Sequence, residues 1–195
     1  MRIMMAMPSY DGKVHLDVAK ALHGMDECGH EVVWEIAKHY DCAGGRTVLA
    51  RKALDGGYDK VLWVDSDVIL PEDALRNMLE SKADMVFGIY PRKSDPTKTV
   101  VYRHGGLNIS SDCCMRMDEI EPRIFPVKGG GLGCCLMDIS VLKRVGFPWF
   151  AFEEREDGTS RSEDIYFCDK AYWAGVECDC DGRVRCGHVA EKVLY

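Results

Sequence analysis

Asp59-Lys60-Val61-Leu62-Trp63-Val64-Asp65-Ser66-Asp67-Val68-Ile69-Leu70-Pro71 is an apolar run that ends in two carboxylates around one serine. Val61 to Val64 is a short continuous stretch of β-prone residues, the pattern of a strand covered on both faces in a parallel sheet. That reading places Asp65 and Asp67 at the strand's carboxyl end. Ligands of open α/β sheets bind in the crevice beyond those ends, so two anions there could hold a divalent ion together with a phosphorylated ligand. The plainer alternative is structural. Asp and Ser are common at strand exits and helix caps, and Pro71-Glu72-Asp73 reads as the opening of a helix with proline in its first turn.

Upstream, Arg2 to Met7 reads as a first strand that breaks at Pro8-Ser9-Tyr10-Asp11-Gly12. Val14, Val18, Ala21, Leu22 and Met25 recur at helical spacing up to Gly29, and Glu31 to Ile36 reads as a second strand. Gly44-Gly45-Arg46 precedes an amphipathic piece, Thr47 to Leu54, closed by Gly56-Gly57. Strands alternating with short helices predict an α/β fold with a mainly parallel sheet.

Downstream, a helix is expected from Pro71 to Glu80 and a fourth strand from Met85 to Tyr90. The α/β rhythm then stops. Residues 92 to 128 are irregular, with β-prone pieces at Thr99 to Tyr102 and Ile124 to Val127. Lys128-Gly129-Gly130-Gly131-Leu132-Gly133 is a glycine-rich turn that either lets backbone approach a ligand or is merely flexible. It lacks the Gly-Lys-Ser/Thr ending of a triphosphate-binding loop. Asp138 is expected to cap a short helix through Leu142 and Val145. Phe147 to Phe152 is an aromatic cluster, and the charged stretch Glu153 to Arg161 is placed to act as a lid. Ser162 reads as the N-cap of a helix to about Ala174, with Glu163 and Asp164 in its first turn, where the helix dipole alone would favour them.

Composition bounds the function. A chain of 195 residues, 47% hydrophobic and 29% charged, suits one globular domain. A formal charge of -7 argues against a nucleic-acid partner and suits recruitment of a cation. No stretch has the ~18 apolar residues of a membrane span, and the opening Met1 to Pro8 is too short for a signal peptide, so a cytoplasmic protein is expected. In that compartment the ten cysteines are expected to be reduced. Cys178, Cys180, Cys186 and His188 offer four soft ligands, but their spacing fits no common zinc finger.

The order of these signals resembles the GT-A glycosyltransferases, particularly the family 2 type, over nearly the whole chain. The most specific part is Gly57 to Leu70 with its Asp65-Ser66-Asp67, preceded by a helix bearing Arg46 and Arg51 and followed by Glu163-Asp164 and a terminal Gly187-His188. The resemblance implies a GT-A, Rossmann-like domain over residues 1–195, with a mixed, mainly parallel sheet and flanking helices. Residues 1–90 would form its nucleotide-binding half and 91–195 its acceptor and catalytic half. It implies a hexosyltransferase-type enzyme, with inversion the expected outcome, that moves sugar from a nucleotide-sugar donor to a hydroxyl of a glycan, lipid or protein.

On the same resemblance, Asp67, Asp65 and His188 form the site for Mn²⁺ or Mg²⁺, a hard cation that stabilises the departing diphosphate. Imidazole favours Mn²⁺ of the two. Pro8, Ser9, Tyr10, Arg46, Asp65, Gly130 and Gly131 would bind the donor, with Tyr10 stacking on the base. Asp164 would be the general base and Glu163 a hydroxyl-binding neighbour; in a retaining enzyme both would only bind sugar. Family members commonly extend beyond the last motif, whereas this sequence has seven residues after His188. Acceptor recognition is therefore expected from residues 92–128, from the 147–161 segment or from a second subunit of a homo-oligomer. Two other classes stay open: a nucleotidyltransferase of related fold, and a non-catalytic, zinc-stabilised binding module.

Overall fold

The computed structural model describes residues 1–103, 113–154, 158 and 160–190. The first half runs β1 (Arg2–Ser9), α1 (Leu16–Gly24), β2 (Glu31–Lys38), α2 (Cys42–Asp55), β3 (Lys60–Val64), β4 (Val68–Ile69), α3 (Ala74–Met78) and β5 (Met85–Ile89). The second begins with β6 (Lys98–Tyr102), β7 (Cys114–Arg116), β8 (Ile124–Pro126), β9 (Gly129–Gly130), β10 (Cys134–Asp138) and α4 (Ile139–Val145). It ends with β11 (Glu153–Glu154), β12 (Ser160–Arg161), α5 (Glu163–Trp173), β13 (Cys178–Arg185) and β14 (Gly187–His188).

Seven strands form the central sheet in the order β2-β1-β3-β10-β5-β13-β8. β1, β2 and β3 are mutually parallel, as are β5 and β13, while β10 is antiparallel to both β3 and β5 and β8 is antiparallel to β13. The sheet is therefore mixed, with β10 and β8 reversed against the other strands. Alternation along each strand sends side chains to opposite faces. Met4, Ala6, Val61, Trp63, Cys135 and Met137 pack beneath α2, α4 and α5. Ile3, Met5, Leu62, Val64, Cys134 and Leu136 pack beneath α1 and α3. Covering both faces is what makes β3 read as an uninterrupted apolar run.

Three helices differ from their expected spans. α1 closes at Gly24, with Met25 already extended, rather than near Gly29. α2 begins at Cys42 and takes in Gly44-Gly45-Arg46, because the Asp41 carboxylate accepts from Gly44 N at 2.6 Å and caps the helix earlier. A Cβ on Gly45 would stand 3.3 Å from the Pro8 Cβ, so the glycine brings the first turn of α2 close against the end of β1. α3 is shorter than the expected 71–80 helix, since Asp73 makes no capping bond and Pro71 to Asp73 form a turn closed by Ala74 N on Pro71 O at 3.0 Å.

Asp138 caps α4 as expected, accepting from Ser140 N at 2.9 Å. The ten cysteines carry no disulfide. Among the described residues no helix is long and apolar enough to cross a membrane. The ends of the expected lid pair as β11 and β12; its residues 155–157 and 159 lie outside the described residues, as do 104–112 of the irregular stretch.

Candidate active site

β3 delivers Asp65 and Asp67 at its carboxyl end, but the two carboxylates face different partners. Asp65 Oδ1 accepts from Arg46 Nη2 at 2.8 Å. The same guanidinium donates from Nε to Glu163 Oε1 at 3.2 Å and from Nη1 to the Leu132 carbonyl at 3.5 Å, and it lies 5.6 Å from the Trp63 ring centre. Arg46 is 1% exposed. Burial opposes its charge, and Asp65 together with Cys42 and Glu163 outweighs that opposition, so the guanidinium stays protonated. The resemblance implies that Arg46 reaches a nucleotide and that Glu163 contacts sugar hydroxyls. In the structure Arg46 ties the exit of β3 to the first turn of α5, and Glu163 is buried against it.

Asp67 faces outward. Its Oδ2 accepts from Lys93 Nζ and its Oδ1 stands 3.6 Å from His188 Nε2. Burial would raise its pKa, but the contacts with His188 and Lys93 prevail and hold it at about 2. The position of His188 follows from a small ladder: β14 pairs antiparallel with β4, setting His188 opposite Val68, and Val189 N donates to Asp67 O at 2.9 Å.

The tautomer of His188 follows from its partners. Nδ1 lies 2.7 Å from the Pro91 carbonyl, which can only accept, so Nδ1 carries the proton. A lone pair on Nε2 would then point at a carboxylate, which is repulsive unless a proton or a cation lies between. Burial lowers the His188 pKa, while Asp67 and Pro91 outweigh it and raise the net value. The same two atoms fit a divalent cation: two ligands 3.6 Å apart can each lie about 2.1 Å from one ion. Asp65 does not join them, because Arg46 engages it. Among the described residues no three His, Cys, Asp or Glu side chains converge, so the described residues offer two protein ligands here.

Asp65, Ser66 and Asp67 form one wall of a cleft of about 220 Å³ whose other lining residues are Pro8, Tyr10, Tyr40 and Cys42. Tyr10 is 75% and Tyr40 48% exposed, so two aromatic rings stand at the site. Ser9 is not a ligand-facing group; it is buried and its hydroxyl donates to the Lys13 carbonyl at 2.7 Å. Sequence reasoning missed Tyr40 and Lys93. Tyr40 precedes the Asp41 cap of a helix that starts earlier than expected, and Lys93 follows β5 within a stretch with no periodicity.

Asp164 sits in the first turn of α5, partly buried. Ser162, whose side chain makes no bond to the helix backbone, donates its hydroxyl to Asp164 Oδ1, which also accepts from Ile165 N at 2.7 Å. Both bonds fall on Oδ1, which leaves Oδ2 without a partner among the described residues. Burial, then the Glu163 carboxylate, raise its pKa to about 6.

In the glycine-rich turn Gly130 and Gly131 are buried against protein. A Cβ on Gly130 would meet the Phe87 ring at 2.8 Å and one on Gly131 would run into the Tyr90 hydroxyl, while Gly131 N donates to Val100 O at 2.9 Å. Gly133 supports the site directly. Its carbonyl accepts from Asp65 N at 3.1 Å, its N–H donates to Tyr90 Oη at 2.9 Å, and a Cβ there would stand 2.8 Å from Asp65 Oδ2. Gly133→Ala is expected to cost about 1–3 kcal/mol in urea denaturation by overpacking this wall; an unchanged midpoint would show that Tyr90 and Asp65 move aside freely.

The cysteine-rich stretch does not converge on a metal. Cys178 and Cys180 belong to the core on one sheet face and Cys186 to the core on the other, while the His188 ring faces Asp67 and Pro91. Burial pushes the Cys178 thiol up to about 12, the character of a packed hydrophobe rather than a thiolate ligand. A larger cavity, about 710 Å³, includes Ala83, Lys128, Tyr172 and Cys178 in its lining. It lies at the starts of β5 and β13, the opposite end of the sheet from Asp67.

No protein-family model matches the sequence, and no curated protein matches it. Solved structures do. The crystal structure of A197 from STIV superposes with a TM-score of 0.70 at 21% identity, covering 98% of this chain and 87% of that one. The crystal structure of GalNAc-T7 with UDP, GalNAc and Mn²⁺ superposes with a TM-score of 0.65 at 8% identity, covering 98% of this chain. This chain spans 44% of the GalNAc-T7 chain. The likeness shows the fold: a mixed α/β sheet of the GT-A glycosyltransferase type.

Proposed function

We propose that this protein is a metal-dependent glycosyltransferase that moves a sugar from a nucleotide-sugar donor to a hydroxyl acceptor. One observation carries the reading. In a fold of the GT-A type, Asp67 and the Nε2 of His188 face each other across a gap that fits one cation, beside a cleft flanked by Tyr10 and Tyr40. The two tyrosines supply flat apolar surface for a nucleobase. Asp67 and His188 would hold Mn²⁺ or Mg²⁺, with the remaining ligands from donor oxygens and water. Such an ion, when bound, offsets the charge that grows on the departing diphosphate. Residues 1–90 supply the base wall and the first ligand, while His188 and Asp164 of the second half complete the site.

Asp164 is assigned as the general base. Its Oδ2 accepts the acceptor hydroxyl's proton while that oxygen attacks the sugar, a geometry that leads to inversion. Arg46 and Ser162 hold the carboxylate's surroundings fixed, Arg46 through Glu163 and Ser162 through a direct bond. Because the Asp164 pKa is raised to about 6, the ionised base accumulates as pH rises through that value. The rate at saturating substrate is expected to climb with pH along a limb centred near 6, and a flat profile between pH 5 and 7.5 would contradict the assignment.

A thermal-shift screen of UDP-, GDP- and CMP-sugars with and without Mn²⁺ tests the reading. A donor at about 100 times its Kd adds about 2.7 kcal/mol, a shift of several degrees for a chain of this size. Asp67→Ala is expected to abolish the Mn²⁺-dependent part of that shift. No metal-dependent shift with any donor would sink the proposal.

A further inference from the structure

Lys93 takes no part in the scheme above, yet it sits on the residue at its centre. Its ammonium binds Asp67 Oδ2 while His188 faces Oδ1, so both oxygens of the carboxylate are engaged by nitrogen. The lysine side chain is half-exposed, and it projects from a turn held by Arg92 N on Lys98 O at 2.9 Å and by Lys98 N on Asp95 O at 3.0 Å. Those bonds hold the backbone, so a change of partner by the ammonium needs a rotation of the half-exposed four-carbon stem alone.

Charge makes the present arrangement exclusive. An ammonium and a divalent cation on one carboxylate repel each other strongly at this range. No further carboxylate stands ready to ligate the same ion, because Asp65 is engaged by Arg46 and no third acidic, histidine or cysteine ligand converges among the described residues. With Lys93 in place the Asp67 carboxylate itself carries no net charge to attract a bare metal ion. Two negative phosphates change the balance, since they bring charge for the metal and an alternative partner for the lysine.

We infer that Lys93 is an exchangeable counter-ion: it neutralises Asp67 in the empty site and turns onto the donor diphosphate when a divalent cation takes its place. The inference rests on Asp67 being the metal ligand of the proposed glycosyltransferase. It assigns Lys93 to the donor-binding residues and makes metal and nucleotide bind cooperatively, each clearing the way for the other.

Mn²⁺ titrations of the full chain, followed by the electron paramagnetic resonance of free Mn²⁺, test this with Mn²⁺ alone and with UDP or GDP added. The wild-type protein is expected to bind Mn²⁺ weakly alone and about tenfold or more tightly with the matching nucleotide. Lys93→Met is expected to bind Mn²⁺ alone about threefold or more tightly than wild type and to lose most of the coupling. Unchanged or weaker binding of Mn²⁺ alone by Lys93→Met would overturn the exchange. Tighter binding with coupling intact would overturn the diphosphate contact. If the wild-type protein bound no Mn²⁺ with either nucleotide, the glycosyltransferase reading would fail first, and this inference with it.

Discussion

Arg46→Ala is expected to destabilise the fold by about 3–5 kcal/mol, the cost of breaking a buried ion pair by removing one partner. Arg46 is the one described cation between Asp65 and Glu163, and Glu163 is 6% exposed, so the truncation leaves a buried carboxylate without its counter-charge. It also removes a large side chain from between Trp63 and the Leu132 carbonyl. Arg46→Lys is the informative companion. It keeps the charge but cannot reach both carboxylates and the carbonyl with one planar fork, so it should recover only part of the loss. Urea denaturation with both variants measures this. A loss under about 1 kcal/mol for Arg46→Ala would mean that water enters and solvates the two acids, contradicting a dry triad. Because the triad joins β3 to α5, Arg46→Lys should also lower turnover more than it weakens donor binding, which marks Arg46 as a positioning residue.

Asp164→Asn is expected to reduce transfer by about 10²- to 10⁴-fold while leaving donor and metal binding intact. The same substitution should make the protein more stable at neutral pH. The Asp164 pKa rises from 3.8 to about 6 on folding, so the folded state holds the proton more tightly than the unfolded chain. Stability from this group is present below pH 3.8 and is lost as pH rises to about 6, above which the ionised, partly buried carboxylate remains a burden. Asparagine carries no such charge and can still accept from Ile165 N and Ser162. A gain of about 1 kcal/mol at pH 7.5, fading as pH is lowered through 5, is the expected signature. Full activity in Asp164→Asn would remove the general-base assignment, and equal loss of donor binding would reassign Asp164 to the donor.

Local chemistry made much of this structure legible. β3 reads as doubly covered because Val61 to Val64 alternate between two cores, and Asp138 caps α4 through its own side chain. What local chemistry cannot carry is contact across distance in the chain. The Arg46–Glu163 pair spans 117 positions, so the sequence shows a helix with an arginine but not that the arginine is buried between two acids. The glycines after Lys128 look like a ligand loop in isolation, whereas Phe87 and Tyr90 from β5 and the turn after it are what exclude a side chain there. The reversal of β10 is equally silent in sequence, because a strand buried on both faces has the same apolar pattern whichever way it runs. Lys93 was invisible for the same reason: nothing around it repeats, and its meaning comes from Asp67, 26 positions earlier.

The most direct test of the central claim is a crystal grown with Mn²⁺ and the nucleoside diphosphate selected by thermal shift, measured for the anomalous scattering of manganese. One strong peak is expected within coordination distance of Asp67 and His188 Nε2, with phosphate oxygens on the same ion and Lys93 displaced from the carboxylate. A peak elsewhere, or none beside Asp67 with nucleotide bound in the cleft, would contradict the claim.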